Sequence, residues 1–234
     1  MTLAAVLVAV LGLGAAGVAP ARAAIPTAAA VRAEIARKNQ QAGRAQPLVV
    51  EVVVRDETGA AAASGRMLLG GAAGPTRLEL VLADGRREVH ERRAGRYEAT
   101  RDGEPVARAM PLLPPFGLLQ ARSEADVAAA LALIGGDPDR VDLGMAGGAD
   151  CWVLGGRDPG PFDANGRPSY WFDQDGRRPV RIDERGGVRF RFGPPARHEP
   201  AIFLPAWIDV EAPGWPRRRI EVVRVTSGNL ASAP

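Results

Sequence analysis

Cysteine is all but missing from this chain: Cys151 stands alone among 234 residues. No intrachain disulfide is therefore possible, and the fold must stand on its core. Beside Trp152 in an apolar stretch, Cys151 reads as a small buried side chain and not as a nucleophile. Lysine is as scarce, with Lys38 alone, so the positive charge rests on arginine. The two histidines, His90 and His198, lie far apart, and no H-E-x-x-H occurs, which argues against zinc. No G-x-S-x-G is present, and Ser64, Ser123, Ser169, Ser227 and Ser232 fall at strand ends, caps or the tail. The adjacent acids Asp183 and Glu184 sit at a turn and read as solvated. Nothing here favours an enzyme or a cofactor. Asp163-Ala164-Asn165-Gly166 and Asp173-Gln174-Asp175-Gly176 echo pieces of a calcium loop, but neither has the terminal Glu at the right spacing, so both read as turns.

Charge of one sign is also lacking. Thirty Lys+Arg against 27 Asp+Glu leave a net +3. The isoelectric point of 9.7 goes with heavy use of Arg, Ala, Gly and Pro, the composition of a GC-rich genome. No basic block with interleaved aromatics exists, and the charges alternate along the strands, so nucleic acid is not an expected partner.

The one long apolar run is Leu3 to Ala19, followed by Pro20 and then Ala21-Arg22-Ala23, which fits the small-x-small rule of signal peptidase. Residues 1–23 are expected to be a cleaved signal peptide, with the mature chain starting at Ala24 in the periplasm, although the basic n-region is missing. The competing reading is a membrane anchor. The literal G-x-G-x-x-G at Gly12 to Gly17 lies inside this run and follows no strand, so it is not a nucleotide site.

What remains is strands, turns and three helical stretches. Thr27 to Gln41 has a capping threonine and a narrow apolar stripe through Val31 and Ile35. Leu48 to Arg55 (LVVEVVVR) is apolar on both faces and reads as a central strand. Gly65 to Leu69 and Arg77 to Leu82 follow, then Arg87 to Arg92, polar on both faces apart from Val89 and so expected to be exposed. Arg96 to Thr100 returns, and turns at Asp84-Gly85, Ala94-Gly95 and Asp102-Gly103 mark the hairpins. Met110 to Pro115 (MPLLPP) cannot continue a central strand, because proline donates no backbone hydrogen bond. A short helix within Pro114 to Ala121 and a capped one from Ser123 to Gly135-Gly136 fill the middle. Strands resume at Asp142 to Met145 and Cys151 to Leu154. A second meander then runs through Ser169 to Asp173, Pro179 to Ile182, Val188 to Phe192, Ile202 to Val210 and Arg219 to Val225. The expected organisation is one domain over 24–228 with a frayed tail at 229–234. The expected fold is mainly β: a strongly curved antiparallel half-barrel sheet with helices on its concave face, since a flat open sheet would leave its apolar stripes in water at about 1.5–3 kcal/mol per large side chain. Tyr170, Phe172, Phe190 and Phe192 fall on one face; Trp171 and Trp207 have the opposite parity and could mark a partner surface.

This order of elements resembles the LolA/LolB-like family, periplasmic carriers of outer-membrane lipoproteins together with other envelope proteins. The local matches are Tyr170-Trp171-Phe172-Asp173 turning at Gly176 into Pro179-Val180-Arg181-Ile182, and the closing pattern Leu204-Pro205, Ile208-Asp209-Val210, Ile220-Glu221-Val222. The resemblance implies an eleven-strand-type half-barrel, with the segment Met110 to Gly136 as a lid over an apolar cavity that takes a lipid or a lipoprotein acyl chain. The lining it implies is Leu78, Leu80, Leu82, Tyr97, Met110, Leu113, Phe116, Leu131, Phe172, Phe190, Phe192 and Ile208. Carriers of this type place an arginine directly before the proline that opens an early strand, where it ties down the lid; here Gly74 precedes Pro75. The alternative is an envelope structural or sensory module with a filled core that binds a protein partner. A monomer is expected in either case.

Overall fold

Leu48–Arg55 (β1) is the middle of the molecule because valine fills it: Leu48, Val50, Val52 and Val54 face inward and are buried. In the computed structural model, which describes residues 25–42, 47–70, 75–93, 95–156, 167–198 and 202–227, β1 lies between Ala61–Leu69 (β2) and Arg218–Ser227 (β15). The signal peptide, the 163–166 turn and the tail at 229–234 lie outside the described residues.

On one side of β1 the chain runs as a meander of β2, Thr76–Leu82 (β3), Arg87–Arg93 (β4), Arg96–Arg101 (β5) and the two-residue Glu104–Pro105 (β6). The hairpins form where the turn chemistry asks for them: Asp102 and Gly103 both have positive φ, 52° and 89°, the signature of a tight primed turn. Three helices precede or follow: Ala28–Ala42 (α1), Gly117–Gln120 (α2) and Glu124–Leu133 (α3). Thr27 Oγ1 accepts from Ala30 N at the start of α1, and Ser123 and Asp126 form a complete capping box at the start of α3. The remaining strands are Asp137–Ala146 (β7), Ala149–Gly155 (β8), Ser169–Asp173 (β9), Pro179–Asp183 (β10), Arg189–Phe192 (β11), Pro195–His198 (β12), Ile202–Pro205 (β13) and Trp207–Glu211 (β14).

Among the described residues thirteen strands form one antiparallel sheet in the order β6-β5-β4-β3-β2-β1-β15-β14-β11-β10-β9-β8-β7. The sheet is open, and β6 and β7 are its edges. A bulge opposite Glu51/Val52 lets Ile220, Val222 and Val225 all reach the core while Val223 stays exposed. The inner faces of both meanders, the helices and the Pro-rich segment share one apolar cluster, which includes Val31, Ile35, Leu113, Phe116, Val127 and Leu131.

The structure corrects several local expectations. The stretch 202–210 is two strands, because Pro205 has no N–H to give; Ala206 N instead donates to Pro194 O at 2.8 Å, and β12 and β13 pair as a separate hairpin. His198 ends β12. Strand β2 begins at Ala61 and β7 at Asp137, earlier than their apolar residues announce. The main sheet exceeds the eleven strands that the resemblance implied. Trp171 is buried and Trp207 half-buried, each lying against a glycine and beneath an arginine. A Cβ on Gly144 would come within 2.4 Å of the Trp171 ring, and one on Gly193 within 2.6 Å of the Trp207 ring. The guanidiniums of Arg181 and Arg219 stand 4.4 and 4.2 Å from the two ring centroids.

Candidate functional site: the lid and its cleft

All twelve residues of the expected lining come together. Ten of them, Leu78, Leu80, Met110, Leu113, Phe116, Leu131, Phe172, Phe190, Phe192 and Ile208, are buried members of the one inner cluster, and Leu82 and Tyr97 pack against it half-buried. They do not share one surface. The aromatic half, Phe172, Phe190 and Phe192 with Tyr170 beside them, is close-packed under the helices, Tyr170 and Phe172 lying 6.3 Å apart between ring centroids. Of the rest, Leu80, Leu82 and Met110 line an opening, whereas Leu78, Leu113, Phe116, Leu131 and Ile208 are buried and do not. A cleft of about 350 Å³ lies between the strand ends of β1–β4 and residues 109–112. Its floor is Val54, Ala63, Leu80 and Leu82; Met110 and Leu112 wall it from the lid; Trp215 closes one side, and Glu88, Arg101 and Arg218 stand among its lining.

What holds the lid over this cleft is a polar cluster on the inward face of β4. In β4, Glu88, His90 and Arg92 occupy the inward positions opposite Leu80, Leu78 and Thr76. His90 is fully buried and Glu88 nearly so, which overturns the expectation of an exposed strand. The register explains it: side chains alternate faces, so once Val89 points outward its polar neighbours must point in. Each then finds a partner. His90 Nδ1 lies 2.6 Å from the Tyr97 hydroxyl, and His90 Nε2 lies 2.8 Å from Glu88. Arg101 donates to Glu88 at 2.6 Å. Contact with His90, and after it the Arg101 hydrogen bond, hold the Glu88 carboxyl at about 2 against the burial that opposes them.

From this cluster two side chains reach the lid. The Tyr97 hydroxyl donates to Met110 O at 3.0 Å and accepts from Leu112 N at 2.9 Å, satisfying two backbone groups of a segment that forms no strand. Burial pushes the Tyr97 phenol well above its ordinary value, so it stays a neutral donor. Arg92 donates to Leu113 O at 3.2 and 3.0 Å through two nitrogens, and pairs with Glu184 at 2.8 Å. Glu184 is thus buried and ion-paired, not solvated, and burial, opposed by Arg92, raises its carboxyl. Asp183 is buried as well, paired with Arg181 and Arg189. On the other side of the same segment, a second opening of about 460 Å³ is lined by Tyr97, Pro111, Ile134 and Glu184, and Ala109 lines both openings. The lid segment thus stands between two spaces and is tied to β4 and β5 by side chains.

The sequence did not reveal Glu88, His90 and Arg92 as lid supports. The available signal was their i, i+2, i+4 spacing on a strand flanked by an amphipathic neighbour. Among the described residues no cluster of three or more His, Cys, Asp or Glu side chains could hold a metal ion. Cys151 is buried on the opposite face with Val153 and Trp171, and burial raises its thiol.

An open curved antiparallel sheet whose inner face is covered by helices and a Pro-rich lid defines a class of lidded half-barrels. No protein-family model and no curated protein sequence matches this chain. Among solved structures it is similar to a LolA superfamily protein from Nitrosomonas europaea, with a TM-score of 0.51 and 14% identity over 88% of this chain and 95% of that one. An outer membrane lipoprotein-sorting protein domain from Vibrio parahaemolyticus gives a TM-score of 0.46 at 10% identity, over 82% of this chain and 90% of that one. A DUF1329 family protein from Desulfovibrio piger gives 0.46 at 14% identity, over 85% and 92%. The chain shares the open, curved antiparallel-sheet fold of the Nitrosomonas europaea protein.

Proposed function

We propose that this protein is a non-catalytic binder of an apolar chain, a lipid or a lipoprotein acyl chain, which enters the inner face beneath the lid, and that it works in the periplasm after loss of residues 1–23. The observation that carries this reading is the cleft of about 350 Å³: it opens to solvent, its floor is aliphatic, and that floor is continuous with the core. Its size is at the lower end of ligand pockets, roughly 300–1,000 Å³. A short stretch of chain fits as the molecule stands, and a longer one requires Met110–Leu113 to lift. Each methylene taken from water contributes about 0.8 kcal/mol. Lifting breaks the Tyr97 and Arg92 hydrogen bonds, at about 0.5–1.5 kcal/mol each, and uncovers the buried Met110, Leu112 and Leu113, at about 1.5–3 kcal/mol each wherever the guest does not cover them. An apolar guest offsets that cost to the extent that it covers the same side chains. Arg218 beside the cleft suits an anionic head left at the surface, Arg101 being held by Glu88.

The test is a titration of delipidated protein with a fluorescent fatty-acyl probe. Saturable binding is expected, weakened by Met110→Asp, which places a charge on the lid wall. A probe that fails to saturate, or that binds Met110→Asp as tightly as the parent, removes the proposal and leaves the filled-core module as the better reading.

A further inference from the structure

A second cleft, sharing no residue with the lid cleft, lies between the end of α1, the β9–β10 turn and the β12–β13 hairpin. It measures about 270 Å³, and Leu119, Pro179, Leu204 and Pro205 give it apolar walls. Lys38, Arg177 and Arg178 line it, and no carboxylate does. The two arginines already have partners: Arg177 pairs with Glu34 at 3.0 Å and Arg178 with Asp173 at 3.2 Å. Neighbouring Asn39 spends its amide on the carbonyls of Leu118 and Ala121. Lys38 is different. It is half-buried, it is the single lysine of the chain, and it makes no hydrogen bond or ion pair among the described residues. Its ammonium stands in a cleft wall with no anionic partner among the described residues, so a bound anion would pair with it without displacing a carboxylate.

We propose that this cleft binds an anionic amphiphile: a phosphate or carboxylate head on the Lys38 ammonium, with the first methylenes of its chain between Leu119, Pro179 and Leu204. Both halves of the ligand are needed. A free anion leaves the apolar walls wet, and an uncharged amphiphile leaves Lys38 unpaired. A cleft of about 270 Å³ accepts the head and the start of the chain, so the rest of the molecule extends outward. This goes beyond acyl-chain binding under the lid and does not depend on it, because the two clefts have separate linings.

A single lysine makes the test direct. The full chain, reductively methylated with carbon-13, reports Lys38 as one signal distinct from the N-terminal amine and still positively charged. Dodecyl phosphate below its aggregation concentration should shift that signal saturably, whereas dodecyl maltoside and inorganic phosphate should not. In unmodified protein, Lys38→Gln should weaken dodecyl phosphate about tenfold or more, Lys38→Arg should largely restore it, and acyl-probe uptake at the lid cleft should not change. Equal affinity in Lys38→Gln overturns the proposal. So does an equal shift with maltoside, which would mean apolar binding alone, or with inorganic phosphate, which would mean a free-anion site. Displacement of dodecyl phosphate by a glutamate-rich peptide, with no response to longer alkyl chains, would reassign the cleft to an acidic protein segment and also overturns it.

Discussion

The two meanders are built from the same kind of strand but finished differently. The second packs Tyr170, Phe172, Phe190 and Phe192 into its inner face and leaves them buried beneath the helices. The first carries aliphatic residues, Val54, Leu80 and Leu82, runs out into polar side chains at Glu88, His90 and Arg92, and keeps an open cleft. The four rings bury their inner face, whereas the face carrying Leu80 and Leu82 stops short of the lid and leaves a cleft. The aromatic half is therefore the scaffold and the aliphatic half is the part that can yield, and the lid is latched from the yielding side.

Three substitutions probe this division. The largest effect belongs to the scaffold: Phe190→Ala removes a fully buried ring and should cost about 3–5 kcal/mol, read as a large fall in the denaturant midpoint. An effect no larger than that of Leu82→Ala, whose side chain is half-buried at the cleft, would erase the contrast between the halves. Next comes the latch. Tyr97→Phe strands Met110 O and Leu112 N, and should cost about 1–3 kcal/mol while speeding acyl-probe entry. Slower entry, or none, would mean that the lid is not the door.

A third probe is pH. Glu88 has a folded value of about 2 against an ordinary 4.5. A depressed carboxyl stabilises the fold fully above 4.5 and loses that contribution as pH falls towards about 2. Glu184, whose carboxyl is raised by burial, works in the opposite sense: its charged form costs stability, and that cost is relieved as pH falls through its folded value. Acid unfolding of Glu88→Gln should therefore be shallower than that of the parent between pH 4.5 and 2, and acid unfolding of Glu184→Gln should not be. Identical acid profiles for the parent and Glu88→Gln would sink the assignment.

Much of the fold was legible because its signals are local. Alternation placed Leu78, Leu80 and Leu82 on one face, Asp102-Gly103 fixed a hairpin, and Ser123 with Asp126 marked the start of α3. The aromatic parity at 170–172 and 190–192 held for the same reason. What escaped was set by contacts distant in sequence. Arg92 meets Glu184 only because the sheet curls and brings β4 near the end of β10; the two stand 92 positions apart. Glu88 and His90 looked like surface residues because their partners, Tyr97 and Arg101, lie on the next strand, and the lid they support is non-repetitive. The split at Pro205 escaped because an apolar run hid a residue that cannot donate.

The most direct measurement is amide hydrogen exchange at Met110 and Leu112, with and without a saturating acyl probe, in the parent and in Tyr97→Phe. The lid account predicts that Leu112 exchanges far faster than Val50 or Phe190, faster still without the Tyr97 hydroxyl, and becomes protected when the probe binds. Exchange at Leu112 as slow as in the central strands, and unmoved by either the probe or the substitution, would contradict it.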